Sequence, residues 1–376
     1  MSILDRYVLK KFLVPFAYCF FGFVSIWFIF DLADNIGDFI KGQPSFEVLL
    51  GYYATQVPEI IVIALPLAAL LAILYALAAM SRANEIISML GAGRSVVRIL
   101  CPLIFAGVIL SIINAYFNYE SAPKASGVKK IIISEINDGK KKDRTIRGNL
   151  FINREDKRFW FASKLSIERS ILSDIHVVQQ DSDGKIIEQW YANEAKFEPD
   201  TGVWFFKNAR HVIVDQNGDI TTNELHDSMV IDKFNETIWR LASSTLKADF
   251  LSVPELREYL KFNSDYPEKR LAPYRMHLHY RWATPTVCFL VVLVAAPCGI
   301  VYSRRGMLGG VALAIGLFFS LVFLSNLFLA LGKGGRVSPF IAAWGPMIAF
   351  FAVGLYLLWM RSTNRDLPRL RIPGLS

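Results

Sequence analysis

The stretch SRANEIISMLGAGRS, Ser81 to Ser95, holds a single acid, Glu85, between Arg82 and Arg94. A carboxylate with no His, Ser or Cys beside it has no partner for proton transfer or nucleophilic attack. The chemistry open to it is recognition: an ion pair or charge-assisted hydrogen bond to a cation on another element or another protein. Ile86, Met89 and Leu90 recur at i, i+3 and i+4, on one face of a helix. Such a stripe fits a hydrophobic groove on a partner. It equally fits a short helix lying among lipid headgroups. Gly91 and Gly93 allow a sharp exit from the helix.

Elsewhere the titratable residues form no catalytic cluster and no metal-ligand spacing. His176, His211 and His226 are scattered among predicted strands with no Cys, Ser or carboxylate motif beside them. His277 and His279 are two apart on a predicted helix and point to different faces. Cys19, Cys101, Cys288 and Cys298 fall in or beside apolar runs, where they read as core-filling thiols rather than a disulfide framework or a metal set. The basic cluster Lys140, Lys141 and Lys142 reads as a solvated face. No GxxxxGK[ST] phosphate-binding loop is present, and LGKGGRVS has the wrong spacing. No cofactor is expected. Any ATP-driven work must draw on another subunit.

The elements that position these residues follow from hydropathy. Of 376 residues, 53% are hydrophobic, too many for an ordinary soluble domain, and they are clumped. Six runs are long enough to cross a hydrocarbon core of about 30 Å: Phe12–Phe30, Ile60–Met80, Ile99–Phe117, Trp282–Val301, Leu308–Leu331 and Phe340–Met360. A polar stretch, Asn118 to His277, separates the third from the fourth. The fold class expected is a membrane α-helical protein of six transmembrane helices, three and three, with an inserted all-β extracytoplasmic jelly-roll-like domain. Residues 1–118 hold the first three spans with a cytoplasmic helix at 81–93, 119–277 the β-rich domain with a linker helix at 252–262, and 278–376 the last three spans and a tail. Asp31 and Asp34 lie at the end of the first span, Glu59 starts the second and Arg281 the fourth; the notable internal polar groups are the amides of Asn114 and Asn326. Such spans lack the buried charges a proton- or sodium-coupled transporter needs.

The net charge of +8 is distributed as a membrane protein's, not a nucleic-acid binder's. One side holds Arg6, Lys10, Lys11, Arg82, Arg94, Arg98, Arg304, Arg305, Arg361, Arg365, Arg369 and Arg371; the short loops of the other hold Lys41, Lys333 and Arg336. Twelve against three puts both termini in the cytoplasm and the insert outside. The first apolar run is too long for a signal-peptide core and is followed by DLADN, so it reads as a retained helix.

From about Arg147 the period becomes two. NLFINRED, KRFWFAS, SDIHVVQQ, KIIEQWYA, VWFFKN and ARHVIVD read as short strands, with turns at Asp183-Gly184, Pro199–Gly202 and Asn217-Gly218. An antiparallel sandwich, jelly roll or barrel accommodates them. LSVPELREYLKF then reads as a helix capped by Ser252, with Glu255 completing a capping box and Pro254 in the first turn.

VPEIIVIALPLAALLAILYALAAMSRANEIISMLGAGRS, with Pro58 and Pro66 eight apart, resembles the second span and following helix of the LptF/LptG-type permeases. LDRY at Leu4–Tyr7 resembles the LptG branch more than LptF, and SAP at Ser121–Pro123 and LSVPELREYL also fit. The resemblance covers nearly the whole chain. It implies a permease subunit, not an enzyme, of an ABC exporter that extracts lipopolysaccharide from the bacterial inner membrane. The implied partners are a related permease in a heterodimer, two copies of a cytoplasmic ATPase, a periplasmic jelly-roll bridge protein and membrane lipids. It makes 81–93 an ATPase-coupling helix, with Arg82, Glu85, Ile86, Met89, Leu90, Gly91 and Gly93 as its site. LptG-type members often carry lysines near the outer end of the first span, facing lipid phosphates. Here FDLADNIGDFIKG places Asp31, Asp34 and Asp38 there and leaves Lys41, so Lys124, Lys129, Arg275 and Arg281 are further candidates for phosphate. Two other classes stay open: a β-domain receptor or assembly factor that transports nothing, and a lipid-acting membrane enzyme, which would need a polar cluster that the sequence lacks.

Overall fold

A computed structural model describes residues 3–138, 145–166, 169–199, 201–215, 218–243, 247–264, 266–300, 307–363 and 365. Lys140, Lys141, Lys142, Asn217, Arg304, Arg305, Arg369 and Arg371 lie outside them. The chain divides into two compact units. One is Met1–Lys129 with Ser252–Arg257 and Glu268–Ser376; the other is Lys130–Leu251 with Glu258–Pro267.

The helices of the first unit are α1 (Ile3–Gly42), α2 (Phe46–Arg82), α3 (Glu85–Gly91) and α4 (Val96–Tyr119), then α8 (Glu268–Ala283), α9 (Thr286–Gly299), α10 (Met307–Lys333) and α11 (Pro339–Ser362). Helix α5 (Ser121–Asp138), which the sequence did not predict, and α7 (Val253–Phe262) belong to both units. Among the described residues five helices are long and apolar enough to cross a membrane, and there are six crossings if the bent pair α8 and α9 is one span. The fold is therefore that of a helical membrane protein with an inserted β domain, as the hydropathy predicts. At 1.5 Å per residue α1 is about 60 Å long, twice the hydrocarbon thickness, so its charged ends lie beyond the apolar layer.

The unit is built around α2 and α9. Every residue from Leu290 to Ile300 is buried. A Cβ on Gly354 would lie 2.8 Å from Leu293 Cγ and one on Gly299 2.9 Å from Leu77 Cδ1, so both glycines exist for close helix approach. In α2, 61% of the apolar window is buried; in α1 the share is 6%, leaving its apolar surface for lipid or another chain.

The expected fourth span, Trp282–Val301, is broken: α8 and α9 meet at 49°. Pro285 stands at the break and has no N–H to offer the Arg281 carbonyl four residues back. Asn118 of α4 supplies it instead, its Nδ2 donating to that carbonyl at 2.8 Å. Thr286 Oγ1 donates to the Ala283 carbonyl at 2.7 Å. Hydropathy averaged over a window is blind to this bend.

The second unit holds β1 (Thr145–Asn153), β2 (Arg158–Ser166), β3 (Ile171–Gln180), β4 (Ile186–Glu198), β5 (Val203–Val214), β6 (Ile220–Ile231) and the short α6 (Ile238–Ser243). The strands form one antiparallel sheet in sequential order. Trp160 and Trp204, with ring centroids 4.9 Å apart, pack with Phe206 and Phe234 in its core. Beside them Arg158 Nη1 donates to both oxygens of the fully buried Glu236, at 3.1 and 2.8 Å.

Each strand pairing skips one position, and the skipped residues Gly148, Ser163, Asp174, Asn193, Asn208 and Asp227 fall in one row across all six strands. Gly148, Asp174 and Asn208 have φ of 65°, 49° and 49°, a region that Gly, Asp and Asn enter most readily. At this row the buried face changes phase. In β2 the buried residues are Arg158, Trp160 and Ala162, then Leu165; in β4 Trp190 and Ala192, then Ala195 and Phe197. Two expectations are corrected here. VWFFKN and ARHVIVD are one strand, β5, split in the sequence reading by the phase change at Asn208. The unexpected β6 is an end strand in which Ile231 alone is buried, so it carries almost no apolar alternation.

Candidate functional site

Helix α2 stops at Arg82. Asn84 adopts φ 57° and ψ 15° and turns the chain into α3. Helix α3 closes in a Schellman motif, Gly93 N–H donating to the Leu90 carbonyl (2.9 Å) and Arg94 N–H to that of Met89 (3.1 Å). Gly93, at φ 80°, is the residue this exit needs. A Cβ on Gly91 would meet nothing and its φ is ordinary, so Gly91 is not required there. Ser95 caps α4, accepting from Arg98 N–H at 3.3 Å. The helix is thus Glu85–Gly91, and Arg82 belongs to α2.

The facing of α3 differs from expectation. Ile86 is 1% and Met89 9% exposed, in one core cluster with Val8 and Phe12 of α1 and with residues of α2 and α4; Leu90 packs against it. Burial of each such side chain is worth about 1.5–3 kcal/mol relative to water, so the stripe stays in the subunit and does not fill a groove elsewhere. A stripe at helical spacing marks burial without saying against what. The exposed residues from 82 to 93 are Arg82, Ala83, Asn84, Ile87, Ser88, Gly91, Ala92 and Gly93.

Glu85 is already held within the chain. Its Oε1 accepts from the Tyr7 hydroxyl at 2.8 Å and lies 3.5 Å from Lys11 Nζ. Its Oε2 is buried without a hydrogen-bond partner among the described residues. Asp5 pairs with Arg98 of α4 at 3.1 Å. Tyr7 and Lys11 were not predicted as partners, because they lie 78 and 74 positions from Glu85. Their spacing of four, which puts both on one helix face, was the available signal.

The other end of α1 repeats the motif. Asp31, its side chain 3% exposed, accepts from the Tyr52 hydroxyl of α2 at 3.0 Å and pairs closely with Lys129 of α5. Lys129 Nζ also sits 5.3 Å from the Trp27 ring centroid.

The five candidate phosphate ligands are not all available. Lys124 pairs with Glu120 (2.8 Å) and approaches Glu255 (3.9 Å), Lys129 pairs with Asp31, and Arg275 with Glu268. Arg281 Nη1 lies 3.4 Å from Asn118 Oδ1. Lys41 is exposed, with no ion pair among the described residues. The predicted capping box on α7 is half formed: Glu255 accepts from Ser252 N–H at 2.8 Å, while Ser252 Oγ donates to the same carboxylate.

Among the described residues, five long apolar helices and one bent apolar pair, a short capped helix between α2 and α4, and a β domain between α4 and α8 in the chain define a permease-like membrane architecture. The profile of the family described as lipopolysaccharide export system permease LptF/LptG matches residues 6–360, and the chain belongs to that family. The lipopolysaccharide export system permease protein LptG of Escherichia coli K12 is 23% identical over 368 residues, 96% of this chain and 99% of that protein. LptG of Haemophilus influenzae is 21% identical over 367 residues, 97% of this chain and all of that protein.

Proposed function

We propose that this chain is one permease subunit of an ATP-driven lipopolysaccharide exporter in the bacterial inner membrane, paired with a related permease. Two copies of a cytoplasmic ATPase drive it, and it passes lipid to a periplasmic jelly-roll bridge protein. Both termini lie in the cytoplasm and the β domain in the periplasm, a reading supported by the twelve-to-three asymmetry of Lys and Arg. The largely unburied apolar surface of α1 suits lipid chains, which bind at about 0.8 kcal/mol per buried CH₂. Release therefore needs an energy source outside the chain. Lys41 is the cation best placed to meet a phosphate directly; at Lys129 a phosphate would compete with Asp31.

The observation that carries the coupling role is the seat of α3: a helix capped at its exit, fixed by two buried side chains, with Arg82, Ile87 and Ser88 facing out. An ATPase pressing on that outward face would move α3 as a rigid piece. Glu85, with a side chain 24% exposed, adds negative charge at the edge of that face. The test is co-purification from native membranes. The ATPase subunit should be retained by the wild-type chain and lost at least tenfold in Glu85→Lys, where attraction becomes repulsion. Undiminished retention and lipid release in Glu85→Lys would leave α3 as a connector lying in the headgroups.

A further inference from the structure

We infer that the Tyr7 hydroxyl, with Lys11, straps α3 to α1, so that α1 receives the displacement imposed on α3; this rests on the coupling role proposed above. The chain itself ties α3 to its other neighbours. Ala83 and Asn84 alone separate it from α2, and Ala92–Ser95 join it to α4. To α1 it has no covalent route shorter than the whole of α2. What joins them is Glu85 Oε1 on Tyr7 and Lys11, beside a core cluster that Ile86 and Met89 share with Val8 and Phe12.

The two kinds of contact differ in what they transmit. Apolar side chains resist separation but fix no direction, so they permit sliding along the helix axis. A hydroxyl–carboxylate bond of 2.8 Å, backed by an ammonium from the next turn of the same face, fixes the register. Register matters for α1 because little of its apolar window is buried. Asp5 on Arg98 adds a second tie, to α4, so the first turns of α1 are gripped on two sides. Tyr7 is therefore a positioning residue: it acts through Glu85 and touches neither nucleotide nor lipid.

The experiment uses the permease purified with its ATPase, in nanodiscs for amide hydrogen exchange and in phosphatidylcholine liposomes carrying lipopolysaccharide for release. In Tyr7→Phe, which removes one oxygen and no bulk, exchange across residues 85–91 should quicken about tenfold while that of 290–298 stays unchanged. ATPase retention should match wild type, and lipid released per ATP hydrolysed should fall severalfold. A merely structural role would lower hydrolysis and release together and leave their ratio intact. Unchanged exchange in Tyr7→Phe overturns the strap. Faster exchange with an unchanged ratio overturns the transmission. If Glu85→Lys keeps its ATPase, the coupling role itself has failed and the inference goes with it. If Glu85→Lys loses the ATPase while Tyr7→Phe behaves as wild type, the coupling role stands and this inference alone is wrong.

Discussion

Each end of α1 closes a carboxylate between a tyrosine hydroxyl and a lysine ammonium, and the two closures sit in different surroundings. At the first turns the carboxylate is Glu85, with a side chain 24% exposed, and its lysine, Lys11, is 41% exposed. At the far end it is Asp31, 3% exposed, with Lys129 at 29% and Tyr52 fully buried. The same three groups thus make a weaker tie at one end and a stronger one at the other. Exposed ion pairs exchange freely with water and are worth little. A buried carboxylate must be satisfied within the protein, and losing a partner strands the charge. The lever proposed above needs one firm end and one that can be driven, and the difference between the two closures of α1 suits that proposal.

The sharpest way to break the contrast is Lys129→Met. It leaves Asp31 buried without its cation and should destabilise the protein by about 3 kcal/mol, the low end for a buried pair because water reaches the lysine. Asp31→Asn should cost less, since Lys129 can turn to solvent, and the double substitution should recover most of the loss. Thermal unfolding in nanodiscs measures all three. If Lys129→Met unfolds no more easily than Asp31→Asn, the far closure is no firmer than the near one.

Neither closure was legible in the sequence, though the frame around them was. Six apolar runs, the insert between the third and fourth, and a short helix after the second follow from hydropathy and period. The misses have physical causes. The period-two signal assumes a constant phase, and the row through Gly148, Asp174 and Asn208 shifts it in β1 to β5. Predicted strands therefore began or ended at that row, and β5 was read as two. Strand β6, with one buried residue, has almost no signal to read. In α3 the amphipathic stripe was recognised and assigned to another protein, because spacing reveals a buried face and not its neighbour. Arg158 and Glu236 were missed for the same reason as Tyr7 and Glu85: pairing across 78 positions is a property of topology.

A smaller effect should follow Tyr52→Phe. Asp31 would keep Lys129 and lose one hydrogen bond in a buried site, worth about 1.5–3 kcal/mol when the acceptor is charged. The loss should sit near the lower value, because the phenyl ring still fills the space against Phe39, whose centroid is 5.5 Å away. The same unfolding measurement ranks it below Lys129→Met. An equal or greater loss would make the hydroxyl, rather than the ammonium, the main support of Asp31.

The smallest effect belongs to Lys11→Met. Lys11 stands 3.5 Å from Glu85 Oε1, at the limit of a useful contact, and its side chain reaches water. Screening at physiological salt, over about 8 Å, leaves little of such an attraction. Methionine keeps the methylene bulk on the helix face, and the Tyr7 hydroxyl still holds Oε1 at 2.8 Å. The unfolding temperature should therefore be indistinguishable from wild type, and lipid released per ATP should fall less than in Tyr7→Phe. Lowering the salt should widen the gap between Lys11→Met and wild type, because only the unmodified chain has a charge for the salt to screen. A loss in Lys11→Met as large as in Tyr7→Phe, and indifferent to salt, would mean that the near closure is held as firmly as the far one and that α1 has no driven end.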